Sequence, residues 1–224
     1  QAFSYSGDLA SVKMRDGLTE IGNSAFSYCK ALKDVSLPKS VASLGEYAFS
    51  NCTALTGASL SPELEDIPKN AFYNCSAMTS VTIPNGIYTI GERAFYNCRS
   101  LTGISFPSTI DEIGEDAFAY CVKLQSLTLP KYLTSLGEGA FSYGTALKSV
   151  SIPCESVTDI GKHVFPDNIT LRGSDDSYIQ YFAKSEGIPF KLKSDPTSDG
   201  PAVPPAQENT DLIYNGVQYA GSVM

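Results

Sequence analysis

Residues 71–93, AFYNCSAMTSVTIPNGIYTIGER, decide the fold, because the chain around them repeats the same pattern every 23 residues. At that period Phe3, Phe26, Phe49, Phe72, Phe95, Phe118 and Phe141 fall into one column. Cys29, Cys52, Cys75, Cys98 and Cys121 form a second, with Ser6 and Gly144 at its ends. Five aliphatic columns accompany them; one runs Leu18, Val41, Leu64, Ile87, Ile110, Leu133, Val157 and another Ile21, Leu44, Ile67, Ile90, Ile113, Leu136, Ile160. A unit this short cannot bury its own apolar face. Its regular recurrence therefore predicts a repeat solenoid of seven stacked turns, stabilised by contacts between neighbours.

Within one turn, Met78 to Ile83 ends in alternation of apolar and hydroxyl residues, the pattern of a half-buried strand. Pro84 lacks the ladder donor and stops it, and Asn85-Gly86 supplies turn chemistry. The chain then returns through Ile87 to Ile90, and a glycine recurs at Gly22, Gly45, Gly91, Gly114, Gly137 and Gly161, where a positive-φ corner is expected. Ala94-Phe95 is expected to open the next turn in a short helical or 3₁₀ segment. Strands about 4.8 Å apart would make the stack a parallel sheet roughly 30 Å across.

Two turns depart from the pattern. In residues 48–70, Ser61 stands where Pro is usual and Pro68 replaces the corner Gly, which predicts a local kink with the core unbroken. The turn starting at Ala140 gains one residue beside Pro153-Cys154, so Phe165 follows Phe141 by 24. The first turn keeps the apolar columns but has Arg15 for Pro and Ser6 for Cys, and nothing before it resembles a polar cap; earlier repeats are expected to precede it. The solenoid is thus read as 1–163. Residues 164–193 read as a C-terminal cap: Ser174-Asp175-Asp176 offer N-cap oxygens, Tyr178, Tyr181 and Phe182 a helical face, Gly187 a stop, and Ile188 to Leu192 a returning strand. Residues 194–210 have the Pro, Ser, Asp and Gly content of a linker, and 211–224 contain an apolar, Asn-Gly, apolar hairpin signal, read either as the start of a further domain or as a tail that folds back on the solenoid.

A net charge of −8 argues against nucleic acid or an anionic membrane as partner, and no apolar run approaches the ~20 residues of a membrane span. Cysteines at one equivalent position point the same way in successive turns, a poor geometry for bridging, so stacked free thiols are expected in place of disulfides. His163 is the single histidine and no Cys-x-x-Cys pair exists, so neither a metal nor a cofactor is expected. Candidate acids and bases sit in repeated columns or on the surface, which predicts no enzyme. Asn51-Cys-Thr, Asn74-Cys-Ser and Asn168-Ile-Thr match the glycan acceptor pattern, but Asn97 recurs at the same place without a match. Asn51, Asn74 and Asn97 are better read as a ladder bonding adjacent turns.

Two surfaces are candidates for binding. One is the outward strand column Lys33, Thr56, Thr79, Thr102, Gln125, Lys148, which reads equally as a solvated sheet face. The other is a tyrosine stripe, Tyr28, Tyr120 and Tyr143 just before the Cys column and Tyr73 and Tyr96 one residue earlier, either an interaction face or a cover for the core edge.

The motifs Cys-x-x-Leu-x-x-Val-x-Leu-Pro, Ile-Gly and Ala-Phe-x-x-Cys, over about residues 2–193, resemble the bacterial surface leucine-rich repeats known as BspA-like, and residues 176–191 resemble the segment that often closes such arrays. The resemblance implies a curved right-handed solenoid with its parallel strands on the concave side. It implies an extracellular or surface-anchored bacterial protein, some members being linked to adhesion to host matrix proteins. A structural spacer presenting other domains and, less favoured, a carbohydrate-binding accessory module are the alternatives. Partners would be proteins or other macromolecules, with the oligomeric state open.

Overall fold

The computed structural model describes residues 1–153 and 156–194 together with the strand backbone at 212–214 and 217–219. Cys154 and nearly all of the linker lie outside the described residues. The repeats form a solenoid whose turns are joined by two strand ladders. One consists of two-residue strands: β1 (Glu20–Ile21), β3 (Ser43–Leu44), β5 (Asp66–Ile67), β7 (Thr89–Ile90), β8 (Glu112–Ile113), β10 (Ser135–Leu136) and β12 (Asp159–Ile160). The other has longer strands: β2 (Asp34–Ser36), β4 (Gly57–Ser59), β6 (Ser80–Thr82), β9 (Ser126–Thr128), β11 (Ser149–Ser151), β13 (Thr170–Gly173) and β14 (Phe190–Leu192). All pairs in both ladders are parallel.

The core follows the sequence columns. Phe26 to Phe141 are buried and their rings stack from turn to turn at 5.1 to 5.4 Å, with planes within 8° of parallel. Offset stacking at this separation adds ring contact to the area buried. The five described cysteines are free and buried. Each thiol donates to the carbonyl of the Phe 26 residues earlier, as Cys75 Sγ does to Phe49 O at 3.1 Å. The column wants a small side chain with one donor; serine at its start fits the same need.

Both ladders are interrupted, each for its own reason. The two-residue ladder breaks between β3 and β5. In the other turns the corner glycine donates its N–H to the preceding turn, as Gly91 does to Ile67 O and Gly114 to Ile90 O. Pro68 holds that position in the third turn and has no N–H to give. The core runs through: Phe49 and Phe72 stack at 5.4 Å. The longer-stranded ladder passes through the third turn unbroken and stops at the fifth, between β6 and β9, so the single seven-turn sheet expected from the sequence is two shorter ones. That lapse coincides with Gly103 and with Phe106, the one ring in a column otherwise of Leu, Ile and Met, which packs edge-on to Phe118 at 5.7 Å.

The corner glycines need correction. Gly22, Gly45, Gly91, Gly114, Gly137 and Gly161 are not among the positive-φ residues. From Gly45 on their requirement is space: a Cβ on Gly137 would lie 2.3 Å from Glu115 N, and one on Gly161 2.4 Å from Glu138 N, whereas Gly22, in the first turn, has nothing within 4 Å. Left-handed backbone comes two residues later, at Ser24, Tyr47, Asn70, Arg93, Asp116, Gly139 and His163 (φ 52–65°), and again at Tyr5, Tyr28, Asn51, Asn74, Asn97, Tyr120 and Tyr143 (φ 57–64°). Between these columns the expected helical or 3₁₀ segment is a run of tight turns. Ala25, Ser27 and Cys29 donate to the residue three earlier, as in a 3₁₀ helix, while Ser24, Phe26 and Tyr28 donate to Glu46, Ala48 and Ser50 of the next turn. Sharing the donors this way binds turn to turn on the side opposite the strands' own bonds.

At the C-terminal end, α1 (Tyr178–Ser185) starts from Ser177, whose hydroxyl accepts from Gln180 N, one residue beyond the expected cap. It buries Ile179 and Ala183; Tyr178 and Phe182 are only partly covered. Gly187 at φ 67° turns the chain out, and β14 then pairs with β13, covering the last ladder strand. Farther on, β15 (Leu212–Tyr214) and β16 (Val217–Tyr219) pair antiparallel, as the hairpin signal requires.

Candidate functional site

The outward strand column is exposed throughout, at Lys33, Thr56, Thr79, Thr102, Gln125 and Lys148. Its chemistry is turned inward, however. Thr56 Oγ1 donates to Lys33 O at 2.9 Å, Thr79 Oγ1 to Thr56 O at 3.1 Å, and Lys148 Nζ to Thr145 O at 3.3 Å. The two threonine bonds splice adjacent turns, and the lysine bond closes on its own turn. Thr102 lies where the sheet lapses and is drawn into no such bond that continues the series.

The tyrosines are brought together more closely than two separate columns suggest. Tyr73 stacks on Tyr96 at 5.1 Å, Tyr96 meets Tyr120 at 5.2 Å with planes at 58°, and Tyr120 stacks on Tyr143 at 4.4 Å. The tilted Tyr96–Tyr120 contact is where the stripe crosses from one column to the other; rings from either column reach the same strip of surface. Tyr5 and Tyr28 form a separate stack at 4.7 Å. Burial first, then the neighbouring Tyr120 and Tyr73 hydroxyls, push the Tyr96 phenol above its usual pKa.

The adjacent pairs Ser4-Tyr5, Ser27-Tyr28, Ser50-Asn51, Tyr73-Asn74, Tyr96-Asn97, Ala119-Tyr120 and Ser142-Tyr143 occupy this strip. Six of the seven pairs supply a tyrosine, and the third turn, with Ser50-Asn51, does not. Beside it opens a groove of about 670 Å³, bordered by Tyr28, Tyr73 and Tyr47 and floored by Ser50, Asn51 and Asn70. The alternation between columns hid this gap from a column-by-column reading of the sequence.

The Asn ladder holds the floor. Asn97 Nδ2 donates to Asn74 Oδ1 at 2.7 Å, Asn74 Nδ2 to Asn51 Oδ1 at 2.8 Å, and Asn51 Nδ2 to Ser50 Oγ at 2.8 Å. At the rim, Lys69 pairs with Glu92, and Arg93 bridges Glu92, Glu115 and Asp116. These bonds hold both cations charged: Glu92 raises the Lys69 pKa, and Asp116 raises that of Arg93. His163 is exposed, in one of the left-handed corners. Among the described residues no group of three or more His, Cys, Asp or Glu is placed to hold a metal ion, and no helix is long and apolar enough to cross a membrane.

Comparison with known proteins agrees with this architecture. The BspA type leucine rich repeat region matches in six copies over residues 1–98 and 65–174. A leucine-rich repeat protein from Bacteroides ovatus is similar at 28% identity and a TM-score of 0.58, covering 74% of this chain, which spans only 46% of that one. The leucine rich repeat protein of T. pallidum shares 31% identity at a TM-score of 0.57, over 73% of each chain. The pneumococcal vaccine antigen PcpA, at 18% identity and a TM-score of 0.55 over 84% of this chain and 69% of its own, is alike in fold. No curated protein sequence matches. Proteins of this repeat type generally serve protein interaction without catalysis, and on the span of the repeat match the chain belongs to the BspA-type leucine-rich repeat family.

Proposed function

We propose that the array is a non-enzymatic adhesion module of a bacterial cell-surface or secreted protein, binding an extracellular macromolecule of a host through its tyrosine strip. The observation that carries this reading is the continuous Tyr73–Tyr96–Tyr120–Tyr143 stack. Rings held by one another lose little side-chain entropy on binding and offer amphipathic contact area. The strand column offers small hydroxyls partly spent on the neighbouring turn, and it lacks the Trp, Tyr and Arg of most hot spots. A spacer role is supported by the Pro-rich composition of 194–210.

The test screens immobilised matrix proteins and glycans with the full chain, then compares two variants that retain the fold. Tyr73/Tyr96/Tyr120→Ala should abolish binding and Thr79/Thr102/Gln125→Glu should spare it. Loss only in the second variant would transfer the site to the strand face. Binding by neither surface would favour the spacer.

A further inference from the structure

The geometry points to a binding slot for one pyranose ring of a glycan between Tyr28 and Tyr73. Three observations converge there. First, the third turn lacks the tyrosine that every other turn places on the strip. With strands about 4.8 Å apart, Tyr28 and Tyr73 stand two turns, about 10 Å, from each other. Rings within the stacks are 4.7 and 5.1 Å apart, so the gap has room for one ring of similar thickness. Second, each bordering tyrosine is backed on its far side, Tyr28 by Tyr5 and Tyr73 by Tyr96, with planes 5° and 6° from parallel. The walls are therefore braced, each with one ring face not covered by its stacked neighbour. Tyr47 borders the groove and is 40% exposed; it contributes a third hydroxyl to the rim. Third, the lining is polar: Ser50, Asn51 and Asn70, with Ser24 and Ser27, and beside them Lys69 and Arg93, each paired with a carboxylate.

Those features together favour a sugar over an aromatic side chain. A pyranose presents C–H bonds to the electron-rich ring faces above and below. Its equatorial hydroxyls radiate in the ring plane, toward the serines, amides and tyrosine hydroxyls that rim the slot. A Phe ring would fill the same space but leave those polar groups desolvated without partners. The groove volume, about 670 Å³, lies in the range of small-ligand sites and leaves space for the sugars on either side of the inserted one.

The slot rests on the reading of the array as a non-enzymatic binding module and names the chemistry of one part of its partner. The test uses saturation-transfer NMR on the full chain with methyl β-glucopyranoside, methyl β-galactopyranoside, methyl N-acetyl-β-glucosaminide and N-acetyltyrosine amide as probes at millimolar concentration. At least one pyranoside should receive saturation on the C–H protons of its ring faces. Ser50→Tyr supplies the missing ring from the chain itself, at a position where Tyr73 and Tyr96 already fit the column, and should abolish that transfer; it also removes the acceptor of Asn51 Nδ2, so urea unfolding checks that the variant is still folded. Tyr73→Ala removes a wall and should weaken binding at least tenfold, whereas Tyr132→Ala, an exposed tyrosine outside the strip, should leave it unchanged. Absence of transfer to every pyranoside, transfer undiminished in Ser50→Tyr, or binding of the tyrosine amide alone would overturn the proposal. A macromolecular ligand retained at full affinity by Ser50→Tyr would remove the slot while sparing the module. Pyranoside binding lost in that variant, with no macromolecule bound by either protein, would support the slot and sink the host-adhesion reading.

Discussion

Cys52 and Cys121 carry a pH dependence that the stack imposes on a single side chain. Burial raises both thiols from 9.0 to about 12, against the smaller opposing effect of their backbone hydrogen bonds. The unfolded thiol ionises first as pH rises, so the stability each thiol contributes is intact below pH 9 and lost between 9 and about 12. Chemical denaturation followed against pH should show a fall across that window, shallower in a Cys52→Ala/Cys121→Ala variant; equal slopes would refute the linkage. Thiol labelling of the native chain at neutral pH should be slow for all five described cysteines. Glycine gives a second residue-scale prediction. Gly137→Ala must push a methyl against Glu115 N and should cost about 1–3 kcal/mol as an overpacked contact. Gly22→Ala, in the same column with nothing within 4 Å of the new Cβ, should be nearly silent in the same denaturation experiment.

At the scale of an element, Pro68 accounts for a missing rung. Pro68→Gly restores an N–H facing Leu44 O, in the geometry that Gly45 and Gly91 use in their own turns. A newly protected amide at position 68 in hydrogen exchange, with β3 and β5 paired, is the expected result; an amide that exchanges at the unprotected rate would show that another feature separates the strands. The asparagine ladder is an element of the same kind. Asn74 both donates and accepts along it and holds φ 57°, a region that Asn tolerates better than most residues. Asn74→Ala loses both bonds and keeps the strain, and should destabilise by about 1–3 kcal/mol on unfolding in urea.

For the whole molecule, stability should follow position in the stack. Phe95→Ala, with ring neighbours on both sides, should cost about 3–5 kcal/mol. Phe3, 45% exposed and stacked on Phe26 alone, should cost clearly less. Equal losses would contradict nearest-neighbour stacking. Amide exchange should show the same gradient, fastest in the first turn and slow in the middle. Protection should persist to Leu192, where β14 and α1 cover the last turns.

The sequence by itself determined the architecture. A 23-residue period with Phe, Cys and aliphatic columns leaves one economical way to bury them, by stacking, and Gly187 and Ile188 to Leu192 already marked the closing helix and strand. It also placed Asn51, Asn74 and Asn97 as a ladder, because identical side chains one turn apart are brought within bonding distance by the stack itself. What it left undetermined depends on how neighbouring turns meet. The corner glycines looked like a backbone requirement, whereas the approach of the preceding turn demands them. Proline in the third turn was legible, yet which ladder it would break depended on which N–H groups point between turns. The two tyrosine columns could be read off, but only the folded strip shows that their rings converge and that the third turn leaves one place between them. A period records which residues are equivalent; distances between unlike positions of adjacent turns exist only once the chain is coiled.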